Sequence, residues 1–329
     1  MKRNKILFST KQYNYLADEI TSIDNEIILK GMEQGDDSVN FGSFTQGVIT
    51  EKKFPDGEGY HKIDTNVDGA DVVYIAGTPN DVDWLEILSV GSAMVKYGAH
   101  TLTVIIPYMS YSTMERAVEL REVIKAKPML RLLSMIPKSH RNKFIFLDLH
   151  ADTLPLYLEG DVIAEELKCD DIVRETAKEM AGSDDFVFAS ADMGRAKQIN
   201  KFANELGVES AFVSKERSSG TDTEVKLVVG ASVKGKKVII YDDMISTGGS
   251  LIKAGQAYKD AGASEVYAIA THGVFPGWAA KKVLDSEVFE YITTTNSHPK
   301  ACISAATEGV DNLQIKSIAE KLYIKIISL

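Results

Sequence analysis

Short apolar runs alternate along the chain with longer stretches in which apolar residues recur every three or four positions. The short runs predict β-strands over residues 5–9, 26–30, 71–76, 101–107, 143–149, 185–190, 210–213, 237–241, 265–271 and 289–294. Most of these runs are continuously apolar, which indicates strands covered on both faces. The periodic stretches predict helices over residues 194–206 and 249–262 and a terminal helix over 313–329.

Strands that alternate with helices predict an α/β fold with mainly parallel sheets flanked by helices. A chain of 329 residues is too long for one ordinary core and fits two domains. The weakest patterning lies near residues 159–161, so we place the domain boundary there. This gives one domain over 1–159 and a second domain of similar architecture over 160–329.

Composition narrows the class of protein. The chain is 44% apolar and 26% charged, as globular proteins are, and its net charge of −10 argues against non-specific binding to nucleic acid or to an anionic membrane. No apolar run approaches the roughly 18 residues of a membrane span, and the N-terminus has no signal-like apolar region. Cys169 and Cys302 show neither metal-ligand spacing nor a disulfide framework, which predicts a cytoplasmic protein.

The stretch "KKVIIYDDMISTGGSLIKAG", residues 236–255, carries the most specific chemistry. A strand ends in Asp242 and Asp243, and a glycine loop with two hydroxyls then leads into a helix. Ligands of open α/β sheets bind at the carboxyl ends of strands, and such a loop suits a phosphate monoester. Carboxylates can accept hydrogen bonds from vicinal hydroxyls. The combination indicates a ribose 5-phosphate group; the alternative is a helix cap beside two solvated acids.

"VIIYDDMISTGGS" resembles the phosphoribosyl-binding motif of type I phosphoribosyltransferases. From "KILFS" to "ATHGVF" the chain is similar to the ribose-phosphate pyrophosphokinase (PRPP synthetase) family. The resemblance implies two type I phosphoribosyltransferase-like domains, with ATP-binding elements in the first and a ribose-phosphate motif and catalytic loop in the second. The ribose-phosphate residues that it implies are Asp242, Asp243, Ser246, Thr247, Gly248, Gly249 and Ser250.

"FPDGE", residues 54–58, resembles a family segment in which Phe stacks on adenine while Asp and Glu contact the nucleotide across a subunit interface. An aromatic face suits a base, and carboxylates suit an exocyclic amine. The alternative is a plain β-turn around the Asp-Gly pair. With the segment after the "PY" strand, the implied ATP-binding residues are Phe54, Asp56, Gly57, Glu58, Thr113, Met114 and Arg116.

Two further strand ends carry polar groups. "FIFLDLHAD" contains Asp148 and His150, and the corresponding family histidine lies by the ATP phosphates and their Mg²⁺. "FASADMG" contains Asp192, which by the same resemblance lies near a second metal ion or the ribose. The implied metal ligands are Asp148, His150 and Asp192. A lone histidine after a strand is otherwise most often a surface or capping residue.

"FVSKERSSGTDTEV", residues 212–225, resembles the mobile catalytic loop of the family. Lys215 and Arg217 match its catalytic Lys-x-Arg, so the implied catalytic residues are Lys215, Arg217 and His150. A cationic pair on a closing loop can neutralise charge that develops on a transferred diphosphate. The alternative is a solvated charged loop.

The chain departs from the family pattern around both substrates. Thr113 and Met114 replace an Arg-Gln pair that contacts ATP, Ser246 replaces an aspartate before the glycine loop, and Arg195 replaces a glycine. Glu216 replaces a cation beside the catalytic lysine. These changes surround the implied sites of both substrates.

The resemblance implies Mg²⁺-dependent transfer of diphosphate from ATP to the C1 hydroxyl of ribose 5-phosphate, which gives PRPP and AMP. One alternative keeps this chemistry with a larger acceptor such as ADP-ribose. A second is a phosphoribosyltransferase, and a third is a catalytically silent regulatory subunit. The expected partners are ATP and a ribose phosphate, without nucleic acid or membrane, in a dimer-based homo-oligomer of up to six chains.

Overall fold

The computed structural model describes residues 3–33, 43–217 and 224–329, without the side chains of residues 31, 32, 215–217 and 224–226. It divides into two compact units, Met1–Leu167 with Ile318–Leu329, and Lys168–Ser317. The sequence placed the boundary between residues 159 and 160. The strand Val162–Leu167 and the helix Ala319–Ile327, both beyond that point, belong to the first unit.

Strands and helices alternate along the described chain, as an α/β fold requires. The strands are β1 (Lys5–Ser9), β2 (Thr45–Gln46), β3 (Ile49–Lys53), β4 (Gly59–Ile63), β5 (Asp71–Ile75), β6 (Thr101–Ile106), β7 (Arg141–Leu147), β8 (Val162–Leu167), β9 (Phe186–Ser190), β10 (Glu209–Arg217), β11 (Glu224–Gly230), β12 (Lys237–Ile245), β13 (Glu265–Gly273), β14 (Ile292–Thr295) and β15 (Leu313–Lys316). The α-helices are α1 (Asn14–Glu33), α2 (Asp81–Lys96), α3 (Ala126–Leu133), α4 (Asp170–Ala181), α5 (Ala196–Leu206), α6 (Gly249–Asp260), α7 (Ala279–Leu284), α8 (Pro299–Thr307) and α9 (Ala319–Ile327).

The first unit contains a parallel sheet in the order β2-β1-β5-β6-β7-β8. Its core includes Trp84 and Ile87 of α2 and Leu130 of α3, all completely buried. A separate antiparallel hairpin, β3–β4, extends between β2 and β5 in the sequence. The carboxyl ends of all the sheet strands lie at one edge because the strands are parallel.

The second unit contains a sheet in the order β11-β10-β9-β12-β13-β14-β15, parallel except for the β10–β11 pair. Successive side chains of β12 point to opposite faces. Val238 and Ile240 pack into the core beneath α6 and α7, whereas Ile239 and Tyr241 pack into the core beneath α4 and α5. The expectation that the central strands are covered on both faces is therefore confirmed.

The predicted strand over residues 26–30 is wrong, because this segment lies inside helix α1. The buried positions of α1 include Leu16, Ala17, Ile20 and Asp24, which recur at helical spacing. Ile27 and Leu29 raised the local strand signal, but they are 42% and 60% exposed. The helical face that begins upstream thus determines the conformation, and the apolar run adds little burial.

The predicted terminal helix over residues 313–329 is correct only in its second part. Residues Leu313–Lys316 form β15, which pairs in parallel with β14, and α9 begins at Ala319. The helix is fastened to the first unit: the Tyr323 hydroxyl donates to Asp24 at 3.1 Å, and Lys5 Nζ donates to the carbonyl of Ile326 at 2.6 Å. Among the described residues, no helix is both long and apolar enough to cross a bilayer.

We expect Leu322→Ala to destabilise the first unit, because Leu322 is completely buried on α9. Removing a buried leucine side chain costs about 2–4 kcal/mol of unfolding free energy. The matched control is Ile324→Ala on the same helix, since Ile324 is 57% exposed, and its effect should be below about 0.5 kcal/mol. Urea unfolding of both variants measures the difference. Equal effects would contradict the docking of α9.

Candidate active site

The two aspartates of the glycine-loop motif lie inside β12. We expected the strand to end at Tyr241, but it continues through Asp242 and Asp243 to Ile245. Parallel pairing with β13 places Asp242 opposite Ala270. Asp243 is only 4% exposed, whereas the side chain of Asp242 is 31% exposed. Asp242 is therefore the more accessible carboxylate of the pair.

Arg195 forms ion pairs with both aspartates. Its Nε lies 2.8 Å from Asp242 Oδ1, and its Nη2 lies 2.6 Å from Asp243 Oδ1. Arg195 immediately precedes α5 in the connection from β9, and β9 adjoins β12, so the two carboxyl ends meet. The guanidinium is only 16% exposed. Charge-assisted hydrogen bonds with this little access to water are strong, and they hold the three side chains in one arrangement.

The charges of this cluster act against one another. Burial raises the pKa of Asp242 above its ordinary value, and the negative charge of Asp243 raises it further, while Arg195 lowers it. Asp242 Oδ1 also accepts a hydrogen bond from the backbone N–H of Asp243, at 2.9 Å. Since the Asp242 side chain is 31% exposed, its carboxylate is the one of the pair that a ligand hydroxyl can reach.

The glycine loop connects β12 to α6. Gly248 has φ +72°, and α6 begins at Gly249. A Cβ on Gly248 would lie 2.0 Å from Val283 Cγ2, whereas a Cβ on Gly249 would come no closer to another group than 4.0 Å from Thr247 Oγ1. Glycine is thus required at 248 both by the backbone and by the close approach of α7. The first turn of α6 leaves backbone N–H groups without helical acceptors. The exposed hydroxyls beside them belong to Ser246, Thr247 and Ser250.

Asp192 lies in the connection between β9 and α5, three residues before Arg195. Its side chain is exposed, and its Oδ1 accepts a hydrogen bond from the backbone N–H of Gly194 at 2.8 Å. The Ser190 hydroxyl donates to the backbone carbonyl of Asp192. An exposed carboxylate is the kind of oxygen ligand that Mg²⁺ prefers. Asp192 fits a metal-binding role at the carboxyl edge of the second sheet.

Residues 54–58 form the loop of the β3–β4 hairpin in the first unit. Gly57, at φ +96°, donates its N–H to the carbonyl of Phe54 at 2.9 Å, and Asp56 Oδ1 accepts the N–H of Glu58 at 3.0 Å. The β-turn considered as the alternative is therefore present. Phe54 is nevertheless 47% exposed, with its ring centroid 6.0 Å from that of Tyr60. The turn thus presents an aromatic face that a planar base can stack on.

Asp148 and His150 follow β7 in very different surroundings. Asp148 has φ +42° and is 4% exposed, and its N–H donates to the carbonyl of Leu167 at 3.1 Å. His150 is exposed. Of the two proposed metal ligands, His150 is therefore open to a ligand, while the carboxylate of Asp148 is enclosed.

The segment after β6 holds the remaining proposed ATP-binding residues. Thr113 and Arg116 are exposed and Met114 is half-buried, with its N–H donated to the carbonyl of Tyr111 at 2.8 Å. Arg116 Nε lies 3.4 Å from Glu115 Oε1, and the Arg116 side chain is 79% exposed. Such an ion pair contributes little stability, so Arg116 can turn toward a phosphate at small cost.

The backbone around the proposed catalytic cations differs from the expected loop. Residues 214–217 continue β10 and pair antiparallel with β11, which places Lys215 opposite Lys226 and Arg217 opposite Glu224. The prediction of a loop is wrong for this part of the backbone. The side chains of Lys215 and Arg217, and all of residues 218–223, lie outside the described residues, so their catalytic role stays a prediction.

Comparisons with known proteins agree with this architecture. Residues 5–136 match the N-terminal domain of ribose phosphate pyrophosphokinase, and residues 220–324 match the phosphoribosyl synthetase-associated domain. The ribose-phosphate pyrophosphokinase of Chlorobaculum tepidum is 33% identical over 266 residues, which cover 80% of each chain. The Vibrio cholerae ribose-phosphate pyrophosphokinase is 34% identical over 276 residues, which cover 83% of this chain and 85% of that protein.

A solved structure extends the similarity to nearly the full length. The phosphoribosylpyrophosphate synthetase from Mycobacterium smegmatis superposes with a TM-score of 0.82 and 26% sequence identity, and the match covers 98% of both chains. Together with the parallel sheets and the glycine loop at the end of β12, this defines an α/β protein of the type I phosphoribosyltransferase-like class. More specifically, the chain belongs to the ribose-phosphate pyrophosphokinase family, a family of ATP-dependent diphosphotransferases.

We expect Gly248→Ala to lower the free energy of unfolding by about 1–3 kcal/mol, because of its positive φ and the clash with Val283. Gly249→Ala is the matched control, since its Cβ meets open space, and it should change stability by less than about 0.5 kcal/mol. Adding Val283→Ala to Gly248→Ala removes the clash but leaves the backbone strain. Denaturant unfolding gives the free energy of unfolding of each variant, and the effect of Val283→Ala alone is subtracted from that of the double variant. If the double variant then shows the same loss of stability as Gly248→Ala, the clash with Val283 is not the cause.

Proposed function

We propose that the protein transfers a diphosphate group from ATP to the C1 hydroxyl of ribose 5-phosphate, producing PRPP and AMP. The hydroxyl oxygen attacks the β-phosphorus, the bond from that phosphorus to the α,β-bridging oxygen breaks, and the proton of the hydroxyl is released. The observation that carries the proposal is the end of β12, where an accessible carboxylate, a glycine loop and a helix N-terminus follow one another. Membership of the family supports it.

The second unit is proposed to bind the ribose phosphate. Backbone N–H groups at the start of α6 and the loop hydroxyls suit the 5-phosphate, since helix N-termini favour anions. The carboxylate of Asp242 suits a ribose hydroxyl, because it is partly exposed while Arg195 holds it in place. The proposed binding residues remain Asp242, Asp243, Ser246, Thr247, Gly248, Gly249 and Ser250.

The first unit is proposed to bind ATP. The exposed ring of Phe54 suits stacking on the base, and the carboxylate of Glu58 suits the exocyclic amine. Asp56 and Gly57 shape the turn that carries both. Arg116 is an exposed cation for the phosphates, with Thr113 and Met114 beside it.

Charge neutralisation is proposed to accelerate the transfer. Lys215 and Arg217 would stabilise negative charge that develops on the diphosphate. Mg²⁺ would supply further neutralisation of the phosphates when bound. The exposed His150 is a proposed ligand of the ion at the ATP phosphates, and the exposed Asp192 is a proposed ligand of a second ion. Asp148, being buried, fits this role only if its carboxylate becomes accessible.

Assembly and location also remain proposals. We propose a homo-oligomer, because the corresponding family segment of residues 54–58 serves the nucleotide of a neighbouring subunit. A reducing compartment such as the cytoplasm suits Cys169, which is buried, and Cys302, which is half-buried, since neither forms a disulfide with another described residue.

The products of the reaction test the main proposal. With Mg-ATP and ribose 5-phosphate, we expect AMP and PRPP by phosphorus NMR, and no turnover without a divalent cation. Lys215→Ala should lower turnover by about 100-fold with an unchanged thermal midpoint. Lys226→Ala, which removes the same charge from the opposite position on β11, is the control. ADP with a monophosphorylated acceptor would exclude the assignment, and a complete lack of turnover with every acceptor would favour the silent regulatory subunit.

One observation favours the alternative of a larger acceptor such as ADP-ribose. Arg195 places a cation against the two aspartates, and Ser246, which stands where the family has an aspartate, is exposed beside the glycine loop. Both differences make this edge of the sheet less negative than the family motif. An acceptor that continues beyond the 5-phosphate into a second phosphate would benefit from that change.

Acceptor preference separates the two candidates. We expect Arg195→Gly and Ser246→Asp each to shift the ratio of kcat/KM for ribose 5-phosphate over ADP-ribose upward by roughly 5- to 150-fold, because the first removes a cation that would attract a second phosphate and the second adds a carboxylate that would repel it. Arg195→Lys keeps the charge and is the control. If ribose 5-phosphate is preferred by a wide margin in the wild type and all variants, the larger acceptor is wrong.

A further inference from the structure

A half-buried group of potential metal ligands lies in the first unit, apart from the residues assigned above. Glu51 on β3 stands directly opposite His61 on β4, and Glu86 faces them from α2. One ligand atom of each residue can be chosen so that all three lie within 4.8 Å of one another. His61 Nε2 and Glu86 Oε1 are 3.8 Å apart. Two strands and one helix thus each contribute one polar side chain to the same place.

The described residues offer few hydrogen-bond donors to the carboxylates of Glu51 and Glu86. The Tyr74 hydroxyl donates to Glu86 Oε1 at 3.3 Å, but among the described residues no donor contacts the carboxylate of Glu51. Two half-buried carboxylates beside one imidazole form an arrangement that a divalent cation would stabilise.

We propose that Glu51, His61 and Glu86 bind a divalent transition-metal ion of the Zn²⁺ class. One imidazole nitrogen with two carboxylate oxygens suits Zn²⁺ better than Mg²⁺, which prefers oxygen ligands only. Tetrahedral bonds of about 2.1 Å place ligand atoms about 3.4 Å apart, so small side-chain rotations complete the site. Tyr74 would hold Glu86 in orientation, as outer partners of metal ligands do.

The site has room for a fourth ligand. All three residues line a cavity of about 1070 Å³ within the first unit, which is also bordered by Lys11, Tyr60, Leu85 and Tyr97. Water or a ligand oxygen from this cavity can complete the coordination of the ion. Among the described residues, neither Asp148 nor His150 lines this cavity, so the proposed site is separate from these two residues.

A metal ion here would fasten the β3–β4 hairpin to α2. Glu51 and His61 belong to its two strands, and residues 54–58 form its loop. Opening the hairpin away from α2 would require the ion to lose ligands. The ion would therefore stabilise the position of the hairpin and its loop. That this loop binds the nucleotide rests on the proposed function.

Cobalt titration tests the site without any assay of activity. The full chain, freed of metal with a chelator, is titrated with Co²⁺ in excess Mg²⁺ and without nucleotide, and Zn²⁺ is then added to displace it. We expect one equivalent of Co²⁺ with visible absorption. His61→Ala and Glu86→Gln should weaken binding by at least about 100-fold, because loss of even an outer partner costs 10–100-fold. The control His140→Ala removes a histidine of the same unit that lies outside the proposed site, where it stacks on His100.

Hydrogen exchange provides a second readout. At a metal concentration of 100 times Kd, exchange of the hairpin amides should slow by up to about 100-fold in the wild type and stay unchanged in His61→Ala. Circular dichroism of the metal-free variants establishes that they are folded, and Glu51→Gln replaces any variant that is not. Absence of Co²⁺ binding to the wild type, binding that survives both ligand variants, or loss of binding in His140→Ala would each overturn the proposal.

Discussion

The ion pairs from Arg195 to Asp242 and Asp243 are the constraint on which the second unit's site depends. Two consecutive carboxylates near the end of a central strand repel each other, and burial makes both charges more costly. The guanidinium offsets this cost because its planar array of donors reaches one oxygen of each acid, at 2.8 and 2.6 Å. β12 can then continue in register with β13 as far as Ile245, which fixes where the glycine loop starts.

The same constraint decides which atoms are available to a ligand. Asp242 Oδ1 accepts from Arg195 and from the N–H of Asp243, while Asp243 Oδ1 accepts from Arg195 and from the N–H of Met244. An ionised carboxylate has about four acceptor positions, so these bonds leave capacity, and a ribose hydroxyl need not displace the arginine. The cation therefore changes the charge of the subsite more than its hydrogen-bonding capacity.

Sequence reasoning predicted the elements whose signal is local. The strand–acid–glycine-loop–helix order of residues 236–255 was found because each part is contiguous, and the α/β class followed from alternation. The strand over 26–30 failed because a short apolar run cannot reveal that Ile27 and Leu29 point outward on a long helix. Arg195 was noticed as an unusual residue, but its ion pairs depend on β9 lying beside β12, 47 residues away from Asp242. His61 carries no such local signal either, since Glu86 reaches it from another element of the fold.

The departures of this chain from the family motif can be weighed against one another. Serine at 246 removes a negative charge beside the loop, and arginine at 195 adds a positive charge against the neighbouring carboxylates. Both changes make the same edge of the sheet less negative. Their effects on the local charge therefore add and do not cancel. Because the Arg195 guanidinium is only 16% exposed, water screens its charge less than that of a surface cation. Under the proposed function, this charge would favour an acceptor that carries more negative charge near the glycine loop. Under the proposed function, the glycine loop would hold the ribose 5-phosphate group of the acceptor, and the altered charge would act on a group attached to that phosphate.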